Sequence, residues 1–293
     1  MFAQQLINAI SLGCVFALFA LGFTLIFGVL RVVNLAHGAV FMAGAYVALV
    51  VIVHLGMPLW AGLAAAFAAA GLLGAGVDWL ILRPLRQREA PELILMIATI
   101  GVATILANGV RILFGPDNQR FPHGLLPEDV IAVAGIRVTV IEILIILVSV
   151  ALMVVLMYAI QGTRYGRALR AVAESPRAAR LMGIHVERMF FSTSFLAGGL
   201  GGVAGVLIGL YSNALYPLMG EPMLLVGVAV VILGGMGSIP GALIGGLFLG
   251  FSQVFSVAYI GSSARDAIAF GLLFAVLLLR PQGLFGTAAQ RKA

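Results

Sequence analysis

The sequence predicts an all-α protein, a polytopic transmembrane helical bundle of about eight to nine membrane segments with broken helices. Hydrophobic residues make up 62% of the chain, and its mean hydropathy is +1.15. Charged residues make up only 10%, against roughly 25% in soluble domains. The chain also has 37 glycines, and glycine is more frequent in membrane helices than in soluble ones. These observations exclude a soluble globular domain.

Eight apolar stretches reach or approach the roughly 20 residues that a helix needs to cross a bilayer. They are residues 5–30, 37–53, 59–82, 92–114, 138–160, 189–212, 241–260 and 265–280. A ninth stretch, 222–233, is shorter and runs into a string of Gly, Ser and Pro from Gly234 to Gly241. Such a stretch predicts a half-helix or a re-entrant segment. All nine are expected to belong to a single transmembrane domain over residues 1–293.

The positions of the arginines predict the orientation, because cytoplasmic loops are enriched in Lys and Arg. The basic clusters are Arg83, Arg86 and Arg88; Arg164, Arg167, Arg170, Arg177, Arg180 and Arg188; and Arg280, Arg291 and Lys292. The loop 115–137, rich in Pro and Gly, is expected to be the largest external loop. No basic residue precedes the first apolar stretch, which indicates an anchor with its N-terminus outside rather than a cleaved signal peptide. Nine spans then leave the C-terminus in the cytoplasm.

Residue types that the chain lacks exclude several kinds of chemistry. The only lysine is Lys292, so neither a P-loop lysine nor a Schiff-base lysine is present, and any ATP must be bound by another chain. Cys14 has no second cysteine to pair with, and the four histidines show no metal-site spacing. The basic pI of 10.1 does not require nucleic acid as a partner, since the positive-inside rule explains it. We expect no cofactor in this chain.

Most ionisable residues of the apolar stretches fall near predicted helix ends, where side chains reach the membrane interface at low cost. They are Asp78, Arg111, Glu142, Arg265 and Asp266. Glu221 precedes the short stretch, and we expect it on the outer side. There it could favour a helix N-terminus or meet a binding protein.

The segment 162–188 is too polar to cross a membrane and too rich in alanine for a flexible linker. Residues 164–174 favour a short helix, and Ser175 followed by Pro176 predicts the start of a second one. Gly183 suits a left-handed end to that helix. Small residues give the pair a smooth surface edged by arginine, which fits either docking to a protein or lying on anionic membrane lipid.

Three stretches together resemble branched-chain amino-acid ABC transporter permeases of the LivH type. They are NLAHGAVFMAGAY at 34–46, the string from Arg164 to Gly205, and VILGGMGSIPGALIGG at 231–246. The resemblance implies a bacterial inner-membrane permease that pairs with a second, LivM-like permease, two ATPase subunits carrying ATP and Mg, and a periplasmic solute-binding protein. It also implies a cytoplasmic coupling loop, residues 162–188, that meets the ATPase. The coupling residues would be Gly166, Arg170, Ala173, Glu174, Ala179 and Gly183.

Two breaks in the apolar pattern are candidates for lining the translocation pathway. A zwitterionic amino acid needs polar partners in the membrane, and broken helices offer them from backbone groups. The candidates are Asn34, His37, Gly38, Gly234, Gly235, Gly237, Ser238 and Pro240. A weak echo between residues 34–44 and 237–247 agrees with two inverted halves. The alternative is close helix packing through small residues, which we expect for Gly198, Gly201, Gly202, Gly205, Gly241, Gly245 and Gly246.

The predicted function is the transmembrane subunit of an ATP-driven importer of a small polar solute such as leucine, isoleucine or valine. The alternative is a stand-alone channel or secondary carrier for a solute such as urea or an amide. The residues do not identify the substrate, and they leave both a homodimer and a heterodimer of permeases open.

Overall fold

The computed structural model describes residues 2–122, 125, 130–133, 136–280 and 282–285. The helices are α1 Phe2–Leu30, α2 His37–Val53, α3 Leu59–Val77, α4 Arg83–Gln87, α5 Glu92–Phe114, α6 Val140–Gly162, α7 Arg164–Glu174, α8 Pro176–Leu181, α9 Val186–Ser212, α10 Gly220–Gly234, α11 Ile239–Tyr259 and α12 Arg265–Leu279. A π-helical turn, Asp78–Leu82, joins α3 to α4, and a 3-10 turn, Ser262–Ala264, precedes α12. Antiparallel strands β1 Val130–Val133 and β2 Ile136–Thr139 precede α6. Arg291 and Lys292 lie outside the described residues, as does part of the loop 115–137.

Local sequence signals explain where several helices begin. Thr139 and Glu142 form a capping box at the start of α6, in which the Thr139 amide donates to the Glu142 carboxylate at 2.9 Å. Ser238 caps α11, because its hydroxyl accepts from the Gly241 amide at 3.1 Å. Pro58 precedes α3, where its missing N–H costs no helical hydrogen bond.

One end of the bundle, which we call the arginine-rich end, collects the last residues of α1 and α3–α4 together with α7 and α8. Arg31, just past α1, donates to the carbonyl oxygens of Ala173 at 3.0 Å and Glu174 at 3.2 Å. The α10–α11 turn lies at the same end, where Gly237 contacts Gly28 of α1. The arginine-rich segment 162–188 is therefore held directly against the end of α1.

The other end of the bundle, called the opposite end, collects the start of α1, the strand pair β1 and β2, and the α11–α12 connection. Gln119 and Leu215 exchange two backbone hydrogen bonds of 2.8 Å. The rings of Phe2 and Phe255 lie 5.5 Å apart, centroid to centroid. The two ends of the bundle are thus defined by contacts between elements distant in sequence.

Within the described ranges, the chain runs between these ends nine times. Seven passages are helical segments long and apolar enough to span a membrane, counting α3, the π turn and α4 as one, and the other two contain the shorter helices α2 and α10. This arrangement confirms the predicted polytopic helical fold. It differs in one detail, because Arg83 and Arg86 lie on the helix that continues to Gln87 and not in a loop.

Helix α2 begins in the middle of the bundle. Residues 31–36 after α1 are not helical, and they carry the chain back inward before α2 starts at His37. The His37 ring lies 4.7 Å from the ring of Phe19. Phe19 precedes the end of α1 by about 11 residues, which corresponds to about 16 Å along the helix axis. The first turn of α2 is therefore well below the arginine-rich end.

Helix α10 begins at a similar depth from the other side. Residues 213–219 after α9 are not helical, and Leu215 is fully buried against Gly209 of α9. Gly220, the first residue of α10, packs on the backbone of Gly38. With 15 residues, α10 is about 22 Å long, roughly half the length of α1. It therefore extends from mid-depth to the arginine-rich end.

The run α9–α10–α11 repeats the pattern of α1–α2–α3 in the opposite direction. Helix α3 packs on α9 through Gly74 and Gly198, and α11 packs on α1 through Gly246 and Ala17. This is an inverted arrangement, as the sequence suggested, but the echo between 34–44 and 237–247 does not mark its equivalent positions. The start of α2 meets the start of α10, whereas residues 237–238 lie in a turn at the arginine-rich end. The echo arises because glycine-rich helix starts have similar sequences in any helix pair.

The close-packing role predicted for seven glycines is confirmed. At each of them a Cβ atom would lie 3.0 Å or less from atoms of a neighbouring element. The seven are Gly198, Gly201, Gly202, Gly205, Gly241, Gly245 and Gly246. Small residues bring membrane helices close enough for van der Waals contact to hold them together.

Candidate functional site

The first turns of α2 and α10 meet at mid-depth, and this junction is the main feature of the candidate pathway. Gly38 and Gly220 touch through their backbones, with no space for a Cβ atom on either. Beside them lies a cleft of about 270 Å³, completed by α5. Thr104 and Asn108 of α5 and Glu221 of α10 line this cleft and are exposed. Polar groups at this depth make the cleft a candidate path for a polar solute.

Asn34 and His37 lie beside the junction, on the side that faces away from the cleft. The Asn34 side-chain oxygen accepts from the Ala36 amide at 3.0 Å, which satisfies a backbone group of the non-helical segment. His37 is 1% exposed between Phe19 and Phe23, and no described residue bonds its Nε2 atom. Both side chains are buried away from the cleft, so Gly38 is the predicted pathway residue of this break that lines it.

The second predicted break forms the turn between α10 and α11 at the arginine-rich end. Gly235 and Gly237 have φ angles of 97° and 83°, which a residue with a side chain rarely adopts. Gly234 and Gly241 pack backbone to backbone, and Leu284 donates to the Leu233 carbonyl at 2.8 Å. Gly237 and Pro240 are exposed, and Ser238 is half-buried. The fold therefore does not bring Gly234–Pro240 together with Asn34–Gly38.

The predicted helices of the segment 162–188 are confirmed as α7 and α8. The Ser175 hydroxyl accepts from the Ala178 amide at 3.3 Å, and Gly183 has a φ angle of 81°. A capping residue not predicted from the sequence is Thr163, whose hydroxyl accepts from the Gly166 amide at 3.1 Å at the start of α7.

The six predicted coupling residues divide into an inner and an outer set. Gly166 is buried against the last carbonyl groups of α6, and Ala179 is also buried. Ala173 is half-buried, with its carbonyl held by Arg31. The exposed members are Arg170, which donates to the Ile160 carbonyl, and Glu174 and Gly183.

Two apolar side chains that were not predicted as site residues are strongly exposed in this segment. Leu181 is 89% exposed and Met182 is 82% exposed, at the end of α8. Their signal in the sequence is an apolar pair directly before the helix-ending Gly183 in an otherwise polar segment. Together with Glu174 and Gly183 they form what we call the docking surface.

A buried charged cluster joins α3 to α9 just inside the arginine-rich end. Asp78 is 2% exposed and accepts from Arg86 at 2.7 Å, while Arg86 also lies 3.8 Å from Glu187 and 4.5 Å over the Phe190 ring. Asp78 was expected to reach the membrane interface, but its side chain is buried inside the protein. The helix continues through the π turn, so Arg86 follows eight residues later and covers the carboxylate.

Comparison with known proteins extends over the full fold. Residues 5–277 match the family described as branched-chain amino acid transport system, permease component. The high-affinity branched-chain amino acid transport system permease protein LivH of Salmonella typhimurium is 34% identical, with 97% of this chain and 96% of the relative covered. The corresponding permease protein BraD of Pseudomonas aeruginosa is also 34% identical, with the same coverage.

A more distant relative is similar over nearly the same length. The probable branched-chain amino acid transport permease protein LivH of Methanocaldococcus jannaschii is 31% identical over 95% of this chain and 91% of the relative. No solved structure matches the chain. The similarity thus includes both mid-depth helix starts and the docking surface.

Proposed function

Because this chain belongs to the branched-chain amino acid transport permease family, we propose that it imports leucine, isoleucine or valine as the transmembrane permease subunit of an ATP-binding-cassette importer of the bacterial inner membrane. The observation that carries this proposal is 34% identity to such permeases along 97% of the chain. It favours a permease over the stand-alone channel or carrier, since the relatives are named as components of transport systems.

The pathway of this proposal passes the junction of α2 and α10. Two short helices that begin at mid-depth can part or close there without breaking a long helix, which is the arrangement expected for alternating access. Gly38 lies in this junction, the Asn34 side chain holds the Ala36 amide of the segment before it, and His37 is buried beside it. The turn Gly234–Pro240 would form the cytoplasmic exit, where glycine backbones allow the end of α10 to shift against α11.

The proposed partners are a second, LivM-like permease, two ATPase subunits that carry ATP and Mg, and a periplasmic solute-binding protein. The docking surface is the proposed ATPase contact, because Leu181 and Met182 present apolar side chains that a partner would cover. Arg31 supports a route for coupling, since its guanidinium joins α7 to the segment 31–36 that leads to His37. Movement of α7 would thereby reach the start of α2.

Substitution of the docking surface tests the proposed coupling. We expect Leu181→Asp together with Met182→Asp to reduce ATP-driven leucine uptake at least about tenfold, because a charge in an apolar contact costs a few kcal/mol. The complex would be purified through a tag on this chain and assayed for bound ATPase subunits and for uptake in proteoliposomes. Gly166 is unsuitable for this test, since its substitution would distort the α6–α7 junction.

A matched control separates docking from general damage. Leu55 is 66% exposed at the opposite end, and Leu55→Asp should leave ATPase recovery and uptake close to wild type. Equal effects of the two changes would argue against a docking surface on α8. A wild-type chain that moves solute alone in liposomes, with no ATPase bound, would overturn the importer.

A further inference from the structure

The carboxylate of Glu221 occupies an unusual place for a charge in a membrane protein. Glu221 lies in the first turn of α10, next to the contact of Gly220 with Gly38 at mid-depth. Its side chain is exposed on the cleft, and no described residue forms an ion pair or a side-chain hydrogen bond with it. Glu221 was expected on the outer side of the short helix, and in the structure residues 213–219 carry the chain inward before α10 begins, so Glu221 lies deeper in the bundle than the end of α9.

Glu221 is the acidic residue of the first turn of α10, where its charge favours the helix dipole but leaves the carboxylate without a side-chain partner among the described residues. The N-cap residue of α10, Met219, makes no side-chain capping hydrogen bond. Charged side chains in membrane segments rarely face lipid and instead face a protein interior or a water-filled cavity. Thr104 and Asn108 are exposed on the same cleft. This face of α5 and α10 is thus polar at membrane depth, as expected for a pathway closed by a second permease.

The remainder of the cleft suits an aliphatic group. Glu221 is the only charged residue among those described as lining it. The apolar lining comes from Leu35, Met42, Ile100 and Leu224. A volume of about 270 Å³ lies just below the roughly 300 Å³ at which drug-sized ligand sites begin. One negative group beside apolar walls matches a small molecule with one cationic and one aliphatic end.

We propose that Glu221 binds the ammonium group of the amino acid in transit, while the aliphatic side chain lies against the apolar wall of the cleft. This inference rests on the proposed function, because it takes the solute to be a free amino acid. An amino acid cannot leave its ammonium group unpaired at this depth, and Glu221 supplies the matching charge.

Charge substitution in the complete transporter tests the inference. Glu221→Gln keeps the size of the side chain and removes its charge, so ATP-driven leucine uptake should fall about tenfold to hundredfold, as for loss of a hydrogen bond to a charged group. Glu221→Asp should retain a substantial part of the uptake. ATPase activity stimulated by the binding protein should persist in both variants, which separates loss of solute binding from loss of assembly.

Charge restoration gives a second measurement that a folding role would not reproduce. The chain has Cys14 as its only cysteine, so Glu221→Cys can be made in a Cys14→Ala background. A sulfonate-bearing methanethiosulfonate reagent should restore uptake, whereas an amine-bearing one should not. Ile105→Cys, on a 72% exposed position of α5 that does not line the cleft, is the matched control and should transport with either reagent.

The outcomes distinguish this inference from the proposed function. Full leucine uptake by both the wild type and Glu221→Gln would overturn the ammonium site and leave the importer intact. Equal effects of both reagents on Glu221→Cys would have the same meaning. A wild-type complex that transports only a solute without an amino group would also overturn it. Failure of the wild type to bind ATPase subunits or to drive uptake would remove the proposed function and this inference with it.

Discussion

Asp78 and Arg86 show how a single buried pair can fix the position of a helix end. The Asp78 carboxylate is almost fully buried, and the Arg86 side chain is 17% exposed. Removing one partner of a buried pair leaves an uncompensated charge, whereas replacing both with apolar groups is often neutral. The pair therefore stabilises the contact of α4 with α9 only while both members are present.

We expect Asp78→Asn to lower the free energy of unfolding by about 3–5 kcal/mol, measured by thermal unfolding of the purified protein in detergent. Arg83→Gln is the control, because Arg83 is 38% exposed and 3.4 Å from Glu187, and such exposed pairs contribute about 0–1 kcal/mol. The double change Asp78→Asn with Arg86→Met should recover most of the loss. An equally unstable double variant would show that the pair is not the cause.

At the scale of the element, the two short helices differ from the other spans in how they begin. The junction of α2 and α10 depends on backbone contact between Gly38 and Gly220, which any side chain would disturb. The long helices instead tolerate larger residues at several glycine positions. Gly76 in α3, for example, has open space where a Cβ atom would lie.

Alanine substitution should therefore have opposite effects at these two kinds of position. Gly220→Ala should lower the yield of folded protein and its melting temperature, because the methyl group would meet the Gly38 carbonyl. Gly76→Ala should be neutral or stabilise by about 0.5–1 kcal/mol, since alanine favours a helix more than glycine does. Size-exclusion profiles and thermal unfolding in detergent would measure both, and a destabilised Gly76→Ala beside a normal Gly220→Ala would contradict the packing.

The sequence predicted the elements better than their depths. Apolar runs indicated the spans, and capping residues such as Ser175 indicated α7 and α8, because both signals are local. The return of residues 31–36 into the bundle was not predictable from local composition, since Arg-Val-Val-Asn-Leu-Ala has the composition of an ordinary loop between two helices. The inward position of Glu221 has the same cause, because tertiary contact between Gly38 and Gly220 sets the depth of α10.

The candidate site was predicted in part for the same reason. The break at Asn34–Gly38 was found through its polar residues, and Gly38 does line the cleft. Thr104 and Asn108 gave no signal, because single polar residues on a long apolar helix look like isolated surface positions until α10 is placed beside them. Leu181 and Met182 were passed over because their exposure depends on how α8 folds against α9.

At the scale of the whole molecule, the inverted arrangement makes the two membrane faces similar in architecture, so the charges must set the orientation. The arginines at or near the arginine-rich end are Arg31, Arg83, Arg86, Arg88, Arg164, Arg167, Arg170, Arg177, Arg180, Arg188 and Arg280. Those at or near the opposite end are Arg111, Arg120, Arg137 and Arg265. Basic residues stay in the cytoplasm during insertion, which favours the arginine-rich end inside and the N-terminus outside.

Single-cysteine labelling in spheroplasts should verify this orientation in the Cys14→Ala background. Ser263 at the opposite end and Gln87 at the arginine-rich end are both exposed, so each accepts a cysteine without disturbing the core. We expect a membrane-impermeant maleimide to label Ser263→Cys in intact spheroplasts and Gln87→Cys only after permeabilisation. The reversed pattern would turn the docking surface outward, and an ATPase on the cytoplasmic side could then not reach Leu181 and Met182.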